Sequence, residues 1–195
     1  EETADALESI YRSGKALYIG VSSYSAKKTN EMIKILKSRG VKLLIHQPSY
    51  SLLNRWIEKD LTKTLINNGV GCIAFSPLAQ GFLSNKYLSG IPKGTRVSEN
   101  SSFDKSLITK SNTRTINDLN LIAKKRGQSL SQMALAWVLN NKAVTSALIG
   151  VRTTQQLKEN IEALKNLKFS KSELIEISKK AREGNINLWS SSSAH

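Results

Sequence analysis

Three stretches of this chain hold residue types that could do chemistry on a ligand. The first is Gly150-Val151-Arg152-Thr153-Thr154-Gln155-Gln156-Leu157-Lys158-Glu159-Asn160. A strand, a glycine, an arginine, two hydroxyls and then a helix start can make a phosphate site. Free amides and the positive helix end face the anion, and Arg152 adds a charge-assisted fork. An ordinary capped helix with a surface arginine fits the same letters. The second is Val70-Gly71-Cys72-Ile73-Ala74-Phe75-Ser76-Pro77-Leu78-Ala79-Gln80-Gly81. Its first half reads as a buried strand, and its second half as a Ser-Pro turn that sets small polar groups and backbone amides at the strand's carboxyl end. The third is a pair of polar strand ends, Ser22-Ser23-Tyr24-Ser25 and Gln47-Pro48-Ser49-Tyr50.

Other chemistry is poorly represented. His46 precedes Gln47 on a strand, so the two side chains point to opposite faces; if Gln47 faces a site, His46 faces the helices and is structural. No His, Cys, Asp or Glu grouping has metal-ligand spacing. No Gly-x-Ser-x-Gly or phosphate-loop motif occurs. Gly69-Val70-Gly71-Cys72-Ile73-Ala74 matches the letters of a dinucleotide fingerprint but follows a helix and opens a strand, the reverse of what that fingerprint needs. Its glycines read instead as a helix stop and a tight strand entry. Trp56, Trp137 and Trp189 sit on or beside apolar stripes and read as core.

The elements that position these stretches alternate. A helix over Glu1–Ser13 is followed by a strand over Ala16–Val21. A helix capped by Ser25 leads to a strand over Val41–His46, and a helix over Asn54–Asn68 to the strand at Val70. Such alternation means a parallel sheet with right-handed crossovers, whose ligands bind at the carboxyl ends of the strands. A long excursion over about 82–112 breaks the rhythm, and Gly, Pro, Ser, Asn and charge give it the look of a lid. Helices at Thr113–Arg126 and Ser131–Asn141, a strand at Ser146–Ile149, and helices at Gln155–Lys165 and about Ser172–Glu183 follow. The domain reads as 1–186, with a frayed tail over 187–195.

The 195 residues carry a formal net charge of +14, which raises the prior for an anionic partner. The basic residues are spread over many helical faces and lack interleaved aromatics, so they read as a solvated surface and nucleic acid is not expected. The single cysteine, Cys72, lies in an apolar strand and fits a reducing cytoplasm. No apolar run is long enough to span a membrane.

Taken together, Gly14-Lys15-Ala16-Leu17-Tyr18-Ile19-Gly20-Val21-Ser22-Ser23, His46-Gln47-Pro48-Ser49-Tyr50, Phe75-Ser76-Pro77-Leu78-Ala79-Gln80-Gly81 and Gly150…Gln156…Glu159-Asn160 resemble the aldo-keto reductases. The resemblance is to the branch that includes bacterial glyceraldehyde-3-phosphate reductases and potassium-channel beta subunits, and it runs in order over nearly the whole chain. It implies an α/β fold that is the C-terminal half of a (β/α)8 TIM barrel, strands five to eight with their helices. It also implies NADPH bound at the carboxyl ends of the strands. By that resemblance Ser22 and Gln47 hold the nicotinamide carboxamide, and Phe75 lies against the nicotinamide ring. Ser76, Pro77, Leu78, Ala79, Gln80 and Gly81 wrap the pyrophosphate, and Lys86 and Arg96 meet phosphates from the long loop. Gly150, Arg152, Gln156, Glu159 and Asn160 hold the adenosine and its 2′-phosphate. Position Ser23 is often Asn in the family.

The family's Asp, Tyr, Lys and His tetrad belongs to the first four strands and is not matched here. The resemblance therefore implies an aldehyde or ketone reductase whose cofactor wall is in this chain and whose proton donor is not, so that the chain alone is inactive. Either the chain is a fragment of a longer protein, or the other half would come from a partner chain or from a second copy. A non-catalytic NADPH-sensing regulatory subunit is the alternative.

Overall fold

Why the strands align in parallel follows from the helices between them. The computed structural model describes residues 1–85, 88 and 109–181. The ordered elements are α1 (Glu2–Arg12), β1 (Ile19–Ser22), α2 (Ala26–Ser38), β2 (Leu43–Gln47), α3 (Leu61–Asn68), β3 (Gly71–Phe75), α4 (Lys110–Lys125), α5 (Leu130–Asn140), β4 (Val144–Leu148), α6 (Thr154–Ile161) and α7 (Lys171–Lys180). Each strand is too short to turn back on itself and is followed by a helix that returns the chain to the same end of the sheet. The result is one four-stranded sheet in the order β1-β2-β3-β4, with every pairing parallel. All four carboxyl ends therefore lie along one rim.

The sheet has two unlike faces. Val21, His46, Cys72 and Ala74 point to the helices and are buried. With Leu36, Leu65, Leu119 and Met133 from the helices they form one continuous core. The opposite face carries Gly20, Ile45 and Gly71 in one register layer and Ser22 beside Gln47 in the next. It is open at Gly20, Ser22 and Leu148, the last 52% exposed. Gly71 is small for a reason: a Cβ there would stand 2.9 Å from Ile45 Cδ1. Gly69, at φ 61°, is the left-handed cap of α3. Both glycines thus do what their position before a strand implied, and neither cradles a dinucleotide.

His46 is fully buried on the helical side, as its alternation with Gln47 required. Its Nε2 donates to the Tyr24 carbonyl at 3.1 Å, and Nδ1 has no partner among the described residues. Desolvation holds its pKa down to about 4. Burial likewise pushes the Cys72 thiol up to about 12, leaving it protonated.

Several boundaries depart from the sequence reading. Strand β1 begins at Ile19, and Leu17 and Tyr18 are 78% and 71% exposed rather than packed. Both residues precede the strand, in a bend, whereas Ile19 and Val21 on the strand itself are buried. The helix expected over Asn54–Asn68 breaks into a 3-10 turn at Trp56–Glu58 and α3. Tertiary contacts override the helical pattern there: the Trp56 indole donates to the Ser49 carbonyl at 2.9 Å, and Arg55 forks onto Glu58. Helix α4 starts at Lys110, inside the expected excursion, with Thr109 as its cap. The rest of that excursion beyond 88, the frayed tail and Trp189 lie outside the described residues. Trp137 is buried against Tyr50, ring centroids 5.2 Å apart, while Trp56 is half-buried.

A buried neutral histidine ties stability to pH. The unfolded chain binds a proton at His46 near pH 6.5 but the fold does so only near 4, so the unfolded state holds more protons across that window. Stability should fall as pH drops from 6.5 to 4, by up to roughly 3 kcal/mol from this group. Denaturant titrations at pH 7 and pH 4 check it: His46→Gln should be less stable at pH 7 and lose less on acidification. Equal losses in both proteins would contradict the assignment.

Candidate cofactor site

Two segments 70 residues apart meet at the sheet rim because β3 and β4 are neighbours, with Phe75 opposite Leu148. Beyond β3 the chain makes a tight turn and a 3-10 turn at Ala79–Gly81. Beyond β4 it runs through Gly150–Arg152 into α6. The two walls and the first turn of α5 enclose an open cavity of about 930 Å³. That is ample for a dinucleotide, since ligand sites span roughly 300–1,000 Å³.

The β3 wall is held in unusual backbone geometry. Ser76, Ala79 and Gln80 have φ of 51°, 47° and 59°, and Gly81 has 94°. Side chains rarely tolerate that region, and each such residue costs about 1–3 kcal/mol. The turn is over-determined by local bonds: Ala79 N to Ser76 O at 2.9 Å, Gly81 N to Leu78 O at 2.9 Å, and Ser84 Oγ to Gly81 O at 2.6 Å. Ser23, after β1, has the same feature at φ 56°. Strain is thus concentrated at the carboxyl rim.

The β4 wall keeps a cation unspent. Thr153 caps α6 by accepting from Gln156 N at 3.2 Å, and the Gln156 side chain accepts from Arg152 N at 2.8 Å. Thr153 therefore serves the helix, as the bland reading of this stretch required. Arg152 itself is exposed and makes no ion pair among the described residues. A guanidinium at the mouth of a cavity beside a helix start can take an anion.

Of the residues singled out in the sequence, Phe75, Ser76, Pro77, Leu78, Gln80 and Gly81 line this cavity. So do Gly150, Arg152, Gln156, Glu159 and Asn160. Ala79 is buried behind the turn, 3% exposed. Ser22 and Gln47 do not line the cavity. They sit side by side at the ends of β1 and β2, where Ser22 Oγ donates to the Gln47 carbonyl at 2.7 Å. Lys86 and Arg96 lie outside the described residues. Sequence reasoning missed Ser129, Ser131 and Gln132, which reach the cavity from α5. The signal was present: Ser129 and Gln132 form a capping box, which marks a helix start that a parallel fold carries to this rim.

The Tyr50 hydroxyl is buried, donates to Glu58 at 2.8 Å and accepts from Asn141 at 3.2 Å, and burial raises its pKa further. His46 faces the helices. Among the described residues no group of three or more His, Cys, Asp and Glu could hold a metal ion. No helix of the described residues is long and apolar enough to cross a membrane.

Residues 1–182 match the model of the aldo/keto reductase family, and the chain belongs to that family. It is 50% identical over 198 residues to the L-glyceraldehyde 3-phosphate reductase of Escherichia coli K12, covering 99% of this chain and 57% of that protein. It is 34% identical over 170 residues to a putative voltage-gated potassium channel subunit beta of Schizosaccharomyces pombe, covering 84% of this chain and 49% of that one. Among solved structures, a thermostable aldo-keto reductase in complex with the inhibitor epalrestat superposes with a TM-score of 0.65 at 26% identity. That match covers 92% of this chain and 54% of the other. The chain thus spans about half the length of the relatives it matches.

Strain at the β3 wall predicts a trade between stability and binding. Gln80→Gly should raise the unfolding free energy by about 0.5–1 kcal/mol, the relief of a left-handed side chain less the added freedom of the unfolded glycine. The same variant should bind a dinucleotide more weakly. Thermal melting and ligand titration of the one variant check both signs. A destabilised Gln80→Gly would contradict the reading of the turn as strained.

Proposed function

We propose that this chain is the NADPH-binding half of an aldo-keto reductase that reduces aldehydes or ketones. One observation carries the reading: the β3 and β4 walls, singled out separately in the sequence, line one cavity at the carboxyl rim of a parallel sheet, with Arg152, which has no ion pair among the described residues, beside it. A reductase among the relatives supports the reaction class.

When bound, the cofactor supplies the hydride. This chain's residues bind and orient it. The turn from Ser76 to Gly81 would wrap the pyrophosphate, and Phe75 would offer a flat apolar surface to the nicotinamide. Arg152 takes the 2′-phosphate, while Gln156, Glu159 and Asn160 frame the adenosine. Ser22 and Gln47, farther along the rim, hold the carboxamide. Lys86 and Arg96 add charge to the phosphates. The acid that protonates the carbonyl oxygen is not in this chain.

The same reading takes the four strands as the last four of an eight-stranded barrel. The unpaired edges at β1 and β4 and the open face at Ser22 and Leu148 support it, as does coverage of 57% of a relative. In this reading further strand-helix units complete the wall and bring the carbonyl substrate.

Fluorescence-quench titration tests the reading. Saturable NADPH binding is expected, with Arg152→Ala weakening NADPH about tenfold or more and NADH little, as loss of one charge-assisted fork requires. Equal effects on both would remove Arg152 from the 2′-phosphate. The purified chain alone should show no cofactor-dependent aldehyde reduction, and robust turnover would overturn the claim that the acid lies elsewhere.

A further inference from the structure

We propose that the first turn of α5 is a clasp that sets the width of the cavity, with Ser131 and Gln132 as positioning residues for the adenosine end of the ligand. The inference rests on the cofactor reading above. Adjacent residues on one helical turn reach opposite walls. Ser131 Oγ donates to the Leu83 carbonyl at 3.3 Å, just past the strained turn that follows β3. Gln132 Nε2 donates to the Glu159 carbonyl of α6 at 3.0 Å. Both residues also line the cavity.

The clasp is held rigid by the helix that bears it. Ser129 caps α5 by accepting from Gln132 N at 3.2 Å, and Gln132 Oε1 accepts from Ser129 N at 2.9 Å. The Gln132 side chain is thereby fixed by its oxygen while its nitrogen spans to α6. Helix α5 is also anchored in the core through Leu130, Met133 and Ala134, all fully buried. The β4 wall needs such a tether. Helix α6 has eight residues, none of them buried, and its nearest core anchor is Ala163 in the 3-10 turn that continues it. The bond from Gln132 adds a tether beside Glu159 and Asn160.

Gln132→Glu separates the two roles of that side chain. A glutamate at this position preserves the capping box and suits the helix's positive end, but it cannot donate to the Glu159 carbonyl. Ser131→Ala removes the other arm without changing charge. The probe is adenosine 2′,5′-bisphosphate, titrated by calorimetry into the full chain, with melting midpoints recorded alongside. Gln132→Glu should weaken it about five- to tenfold and Ser131→Ala about two- to fivefold, as loss of single hydrogen bonds implies, with both variants still fully folded at the titration temperature.

The Gln132→Glu ratio should persist at about 0.5 M salt, where surface charge repulsion is screened. Variants that bind like the unchanged protein would overturn the clasp. So would a Gln132→Glu loss that vanishes with salt, or a loss confined to temperatures at which the variant is partly unfolded. Failure of the unchanged protein to bind the probe would overturn the cofactor reading itself, and the clasp with it.

Discussion

Parallel strand pairing is the constraint on which the rest of this structure depends. A parallel neighbour can be reached only by a crossover, so the chain must spend a helix between successive strands. Every strand then ends at the same rim, and every turn that leaves a strand opens there. The functional segments are far apart in sequence but are turns of one kind: Ser22-Ser23 after β1, Gln47-Pro48 after β2, Ser76–Gly81 after β3 and Gly150–Arg152 after β4. The backbone departures from ordinary geometry gather on the same rim, at Ser23, Ser76, Ala79 and Gln80. A packed helical layer on the other side of the sheet makes such strain tolerable. Within that layer His46 ties β2 to the turn after β1 through the Tyr24 carbonyl.

The same constraint explains what the sheet leaves open. Among the described residues, four parallel strands have two edges and one face without helices, and these are open at Gly20, Ser22 and Leu148. Exposed Leu17 and Tyr18 lie just before the β1 edge. The cavity is on the β3–β4 side of this rim, while the Tyr50 hydroxyl and the His46 ring are engaged away from it. Under the proposed reading, hydride donor and acid come from different segments, since any one strand of a barrel supplies only the residues at its own end.

Much of this was legible in the sequence because local signals and fold pointed the same way. Gly69 stopped a helix, Ser25 and Thr153 capped two more, and short apolar runs stood where β2 and β3 lie. The alternation of His46 with Gln47 assigned each to its face before any contact was known. The two segments that line the cavity were marked by strand ends, while Gln156, Glu159 and Asn160 were singled out through the family resemblance. What escaped were features decided by distant partners. The break between Trp56 and Leu61 comes from bonds to Ser49 and within the Arg55–Glu58 fork, which no helical periodicity reports. Leu17 and Tyr18 look like strand residues but precede β1 and are exposed. Ser131 and Gln132 are helix residues whose approach to the cavity depends on where α5 packs, although the capping box marked the turn they sit on.

The central claim is that the turn after β3 and the segment after β4 are two walls of one cofactor cavity. Amide hydrogen exchange of the full chain with and without saturating NADPH tests it most directly. The account predicts slowed exchange in residues 76–85 and 150–160 together, with smaller effects near Ser22 and Gln47 and little change in α2, α3 and α7. Protection of one wall without the other, or protection confined to the basic helical surfaces, would contradict it.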